Sequence, residues 1–152
     1  MHILKVFTNI YLLVPAFSWL VAQILKTIIT AIMTKKVSFS RLVGDGGMPS
    51  GHSATVTSLA MMCGLFEGFG SVEFGITMIL AIIVMHDALG VRRETGKQAV
   101  LLNELVKAFE ILAKHDLPEV KLKELVGHTP LQVFAGMGLG IINAIILYFL
   151  IF

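Results

Sequence analysis

The chain has 152 residues, 56% of them hydrophobic and only 14% charged, with a formal net charge of +2. Soluble domains carry about 25% charged residues, so this chain has too little polar surface to coat a water-soluble globule and is too apolar for disorder. So small a positive charge, with no basic run interleaved with aromatics, gives no reason to expect nucleic acid, and a single cysteine, Cys63, excludes an intrachain disulfide and a thiolate cluster.

One integral membrane domain over residues 1–152 is the expectation. A bilayer core of about 30 Å takes about 20 mostly apolar helical residues, and four segments approach that length. The first runs from about Thr8 to Met33, interrupted by Asn9, Pro15, Gln23 and Lys26. No clear small-residue cleavage site follows it, so it reads as a mature helix and not a secretory signal. The second runs from about Ser53 to Phe69, the third from Phe74 to Val91 and the fourth from Val133 to Phe152. Gly136, Gly138 and Gly140 in the fourth permit close approach of a neighbouring helix. Between the third and fourth, Leu101, Leu102, Leu105, Phe109 and Leu112 recur at spacings of three and four among polar residues. That is the pattern of an amphipathic helix, lying along the membrane surface or capping the bundle, with Pro118 either stopping it or starting the next turn. The predicted fold is all-α: an integral membrane bundle of about four transmembrane helices plus an amphipathic helix in the third loop.

Loops one and three hold ten of the twelve Lys and Arg residues, Lys35, Lys36 and Arg41 in the first and Arg92, Arg93, Lys97, Lys107, Lys114, Lys121 and Lys123 in the third. The positive-inside rule puts both loops in the cytoplasm, and with them the polar clusters at those helix ends.

Three such clusters stand out. GDGGMPSGHS, Gly44 to Ser53, leads directly into the second apolar segment. Its glycines, Gly47 and Gly51 among them, let the backbone bend closely around a ligand, Ser50 can cap the following helix, and the N–H groups of the helix start make an anion site. His52, in the first turn, stands where a proton can pass to a leaving oxygen. The plainer reading is a glycine-rich turn with a capping serine. In HDALGVRRETGKQ, Asp87 lies inside the apolar run, where an ionisable residue is costly and a functional candidate by default. Arg92 and Arg93 can fork onto a phosphate, or simply anchor the helix. In GHTPLQ, Thr129 and Pro130 read as a helix start, which brings His128 to the same boundary. Gln23, Lys26 and Thr30 share one face of the first helix, and Lys26 either snorkels to the interface or points inward and adds positive charge to the site. Two histidines, two arginines, a lysine and an anion turn are the parts of phosphoryl transfer through a phosphohistidine, one imidazole attacking phosphorus and the other protonating the leaving alkoxide. No metal and no other cofactor is required.

Met48-Pro49-Ser50-Gly51-His52-Ser53 resembles the PSGH motif of the type 2 phosphatidic acid phosphatase superfamily, which includes the vanadium-dependent haloperoxidases. GGMPSGHSA, DALGVRRETGKQA with Leu102-Asn103, and LKELVGHTP before a last apolar helix together resemble its divergent bacterial branch over nearly the whole chain. The resemblance implies a general acid at His52 and phosphate binding by Ser50, Gly51 and Lys26. The superfamily's third motif has Ser-Arg, a nucleophilic histidine six residues after the arginine, and an aspartate four residues later. Here Arg92 and Arg93 have no histidine at that reach, His128 is the nucleophile candidate, Gln132 stands four residues beyond it, and Asp87 is the acidic residue left to orient the histidine. The implied function is a lipid phosphatase of the bacterial cytoplasmic membrane, working at its cytoplasmic face on phosphatidylglycerol phosphate, phosphatidic acid or an isoprenoid phosphate. The competing class is a catalytically silent membrane protein that binds anionic headgroups or organises a complex. The implied partners are the bilayer and the lipid phosphate, with a homo-oligomer open.

Overall fold

The computed structural model of the protein describes residues 3–35, 47–113, 122 and 127–151, and every regular element among them is helical. After a short 3-10 turn, Asn9 caps the first α-helix, its Oδ1 accepting from the Tyr11 N–H at 2.9 Å. This helix, α1 (Ile10–Thr34), runs 25 residues, about 37 Å at 1.5 Å per residue. The others are α2 (Gly51–Phe66), α3 (Val72–Leu89), α4 (Val91–Ala113) and α5 (Pro130–Ile151).

The four apolar segments thus appear as α1, α2, α3 and α5, but they are not equivalent. Three helical stretches are long and apolar enough to cross a membrane: Ile10–Thr34, the run Val72–Phe109 that contains α3, and Pro130–Ile151. The segment expected as the second span is the exception. α2 has 16 residues, about 24 Å, and it sits in the middle, packed against α1, α3 and α5. Its sequence explains this place, since Gly51, Ser53, Ala54, Thr57, Ser58, Ala60 and Gly64 are all buried small residues that let neighbouring backbones come close. α3 is the opposite case. It buries only Ala81 and Ala88 and turns Ile76, Ile79 and Ile83 outward, each more than half exposed, an arrangement suited to lipid and costly in water.

The tightest seam joins α2 to α5. A Cβ added at Gly136 would collide with the Ser50 carbonyl oxygen, and one at Gly140 with the Ala54 carbonyl and Thr57 Oγ1, whereas Gly138 faces open space. Of the three glycines expected to bring helices together, two do so. Thr57 Oγ1 closes the seam, donating to the Ser53 carbonyl at 2.6 Å and lying 3.3 Å from that of Met137. Substitution should separate these roles. Gly138→Ala gains helix propensity, up to about 1 kcal/mol, whereas Gly136→Ala must push α5 off α2 at a net cost of about 1–3 kcal/mol. Thermal unfolding in detergent reads both, and equal shifts of the same sign would contradict the seam.

At the end of the bundle where α1 begins, Val14, Met62 and Ala144 form a buried cluster edged by Tyr11, Phe66 and Leu147. Phe66 meets Tyr11 and Tyr148 edge-to-face, at ring separations of 6.1 and 5.0 Å, and the Tyr11 hydroxyl donates to the Glu67 carboxylate.

The leucine pattern of loop three lies on α4, which starts ten residues before it, directly after Gly90. Its residues Leu101, Leu105 and Phe109 are exposed. Asn103, nearly buried, holds Leu122 by both backbone groups: its Nδ2 donates to the Leu122 carbonyl and its Oδ1 accepts from the Leu122 N–H, each at 3.0 Å. Residues 36–46, 114–121 and 123–126, with Lys36, Arg41, Pro118 and the outer lysines of loop three, lie outside the described residues.

Candidate functional site

The chain order puts three junctions at one end of the bundle: the start of α2, the α3–α4 corner and the start of α5. Long-range backbone hydrogen bonds tie them together. The Ser50 N–H donates to the Gln132 carbonyl at 3.0 Å, and the His128 N–H donates to the Ala88 carbonyl at 3.1 Å. Gly127, at φ +88°, lies flat on the first turn of α4, where an added Cβ would come within 2.6 Å of Arg93 Cα. A positive φ and this close approach both require glycine.

Ser50 is the N-cap of α2 and is completely buried. Its Oγ accepts from the Ser53 N–H at 3.3 Å and from Ser53 Oγ at 3.0 Å. The first N–H groups of a helix have no intrahelical partner, so the turn at Gly51 and His52 presents donors and the positive end of the helix dipole. Gly51 fits against the Trp19 indole, 3.2 Å from where a Cβ would stand.

Lys26 comes to the same place from α1. It is 3% exposed, so it points inward and does not snorkel to water. Its aliphatic stem lies against Gly47, whose φ of +87° and missing Cβ leave room for it. One turn earlier on that face is Gln23, 5% exposed, whose Oε1 has no hydrogen-bond partner among the described residues. Its amide carbon lies 3.9 Å from a Cβ built at Gly51, so this buried acceptor sits beside the cap of α2.

The two histidines meet. The ring centroids of His52 and His128 are 6.4 Å apart and the planes are 82° from parallel, although 76 residues separate them in the chain. His52 is exposed and His128 is 5% exposed. His128 directly precedes α5, whose start is a reciprocal capping box: the Thr129 N–H donates to Gln132 Oε1 at 3.1 Å, and the Gln132 N–H to Thr129 Oγ1 at 3.4 Å. Pro130 is the first helical residue, where its missing N–H costs nothing.

The arginine pair sits at the α3–α4 corner with both side chains exposed. Asp87, expected to orient a histidine, is instead bonded to Arg92, Oδ2 to Nε at 2.6 Å. Arg93 touches the site through its backbone, under Gly127.

The family model for the "Divergent PAP2 family" matches residues 7–143 of the chain, a stretch that contains Lys26, the Gly47–His52 turn, the α3–α4 corner and His128. The chain belongs to the divergent PAP2 family. It is also 39% identical, over 95% of its length and 97% of the relative's, to the "Uncharacterized membrane protein YuiD" of Bacillus subtilis (strain 168). No solved structure matches. The protein is thus a membrane protein of the branch that its motifs resemble.

Three contributors to this end of the bundle carry no assigned role in the sequence reading: Trp19, Gln132 and the Ala88 carbonyl. Gln132 alone had a signal, the Thr-x-x-Gln spacing of a capping box. A carbonyl that receives a distant N–H leaves no trace in its side chain, and the packing of an indole on a glycine appears only once the helices are assembled.

Proposed function

We propose that the protein is a membrane lipid phosphatase that cleaves a lipid phosphate monoester through a phosphohistidine. The observation that carries this reading is the His52–His128 pair, 6.4 Å apart ring to ring, beside the buried Lys26 and the cap of α2. An attacking atom waits about 3–3.5 Å from its target, and a proton donor about 2.6–3.2 Å from the oxygen it protonates. The two rings are near enough that both can address a single phosphoryl group, one at phosphorus and the other at its ester oxygen.

In this mechanism a neutral His128 attacks phosphorus, the ester oxygen departs with the proton of His52, and the lipid alcohol (phosphatidylglycerol, diacylglycerol or a prenol) leaves. His52, now neutral, takes a proton from water as that water attacks the phosphohistidine, releasing inorganic phosphate and restoring both rings. Lys26 and the backbone N–H groups of Gly51 and His52 at the start of α2, with the glycine turn at Gly47 and the Ser50 hydroxyl beside them, stabilise the equatorial oxygens. Asp87 holds Arg92 by its Nε, which leaves the terminal nitrogens of that guanidinium for a phosphate, and Arg93 adds positive charge at the same corner. Substrates of the inner leaflet, phosphatidylglycerol phosphate, phosphatidic acid or an isoprenoid phosphate, match a site on the cytoplasmic side, with α2 as a fourth, short span.

Vesicles test the reaction and its side together. Inverted membrane vesicles from overproducing cells are expected to release inorganic phosphate from a short-chain phosphatidic acid, with inhibition by vanadate, while intact spheroplasts given the same substrate release none above background. Release by spheroplasts alone would move the site to the outer face. Binding of lipid phosphates by the purified protein without release from any of them would leave the headgroup-binding reading in place of the enzyme.

A further inference from the structure

An apolar groove of about 540 Å³ runs along the bundle from the candidate site toward the opposite end. Its wall on α2 is His52, Thr55, Val56 and Leu59, and its wall on α1 is Leu12, Pro15, Ala16 and Trp19. Both sets follow the i, i+3, i+4, i+7 spacing of a single helix face, so two matching stripes line one furrow. Val84 of α3 gives a third side. The depression exists because Pro15 and Ala16 are small where a leucine or phenylalanine would fill it.

The ends of the groove differ from its middle. At one end stands His52, its only histidine, with Trp19 both lining the groove and packing on Gly51 of the cap. At the other stands Tyr11, its ring against Phe66 and its hydroxyl on Glu67, which makes a fixed floor. From Tyr11 to Trp19 the axial rise is about 12 Å. The volume falls in the range of about 300–1,000 Å³ typical of small-molecule pockets.

We propose that this groove holds a hydrocarbon chain of the lipid whose phosphate sits at His52, so that the chain is guided by Pro15, Ala16, Val56 and Leu59 and stopped at Tyr11. This rests on the lipid phosphate reading above. Three observations favour this occupant. The groove is continuous with the headgroup site through His52, it lies along the bilayer-spanning part of α1, and walls from three helices leave room for a chain and not for another helix. Lipid tails are as apolar as leucine, so leaving bulk lipid for the groove brings little affinity by itself. What the groove supplies is orientation: a chain laid between α1 and α2 presents its headgroup to the two imidazoles in one pose.

The test is photo-crosslinking of the full-length protein in phosphatidylcholine nanodiscs. The probe is the uncleavable phosphonate analogue of phosphatidic acid with a diazirine in the first half of one chain, and the control is a diacylglycerol with the same diazirine. Adducts are expected on Pro15, Ala16, Val56 and Leu59, about tenfold more abundant with the phosphonate than without it, a coupling of about 1.4 kcal/mol. Leu59→Trp and Ala16→Leu, which fill the groove from opposite walls, should each remove them, and agreement of the two guards against one variant misfolding. Equal labelling by both lipids, adducts confined to the outer faces of α3 and α5, or disulfides between copies carrying Leu59→Cys with Cys63→Ala would each overturn the proposal, the last by making a second copy the occupant. Phosphonate-dependent adducts in a protein that releases no phosphate would overturn hydrolysis and leave the groove standing as a lipid phosphate site.

Discussion

His52→Ala is expected to lower turnover of a lipid phosphate by about 10²–10⁴-fold, the usual range for a lost general acid, with little change in stability. The imidazole is exposed, and the cap of α2 is made by Ser50 and Ser53, so removing the ring leaves the helix start intact. Surface substitutions away from such features usually fall within about 0.5 kcal/mol. The assignment has a sharper signature than loss of rate. An alkoxide needs a proton to depart and a nitrophenolate does not, so a first-turnover burst of nitrophenolate from p-nitrophenyl phosphate should be nearly spared, while steady-state turnover stays low on both substrates because the water step has lost its base. A folded His52→Ala protein that turns over both substrates at the normal rate would remove the general acid from the mechanism. Loss of the nitrophenolate burst as well would recast His52 as a residue that binds the phosphoryl oxygens.

The helices were legible where their pattern is local. α1, α3 and α5 lie within a few residues of the apolar segments because hydropathy and flanking polar residues mark their ends directly. What hydropathy does not separate is burial in lipid from burial in protein. Ser53 to Phe69 reads as a fourth span by its apolar character, yet its small residues seat α2 among the other helices and its 16 residues fall short of the other spans. The start of α4 carries no hydropathy signal at all. Arg92 to Val100 has no leucine periodicity, and the helix there is supported by polar contacts, with Thr95 Oγ1 donating to the Val91 carbonyl at 2.9 Å and Lys97 to Glu94 at 2.6 Å.

The candidate site was legible as a set of residue types at one membrane face, and that much followed from topology. Helices that alternate direction bring the Gly47–His52 turn, the arginine corner and His128 to the same end. The pairing within that end was not legible. Nothing in the sequence around Asp87 tells a histidine partner from an arginine five residues on; Gly90, whose φ of −99° and ψ of −91° depart from the helix, separates α3 from α4, and Arg92 bonds Asp87 across it. The sequence allows Lys26 to snorkel or to point inward, and the missing Cβ of Gly47 gives its stem an inward place.

The nucleophile assignment yields the last expectation. If His128 attacks phosphorus, rapid quenching at high pH should trap an acid-labile phosphoryl adduct on its imidazole, and His128→Ala should abolish adduct and turnover together. His52→Ala should still accumulate the adduct from p-nitrophenyl phosphate, because that leaving group departs unaided while the water that clears the phosphohistidine has lost its base. The two variants therefore differ in kind: one never forms the intermediate, and the other forms it and stalls. His86 is the rival, exposed in the last turn of α3 next to Asp87, while His115 lies outside the described residues. A phosphoryl group mapped to His86 would make the His86–Asp87 pair the attacking unit and break the link to His52, since the ring that stands 6.4 Å from His52 is that of His128. That separation is what lets a single imidazole serve both half-reactions: the same His52 that gives its proton to the departing lipid is within reach of the water that must approach a phosphate held on His128.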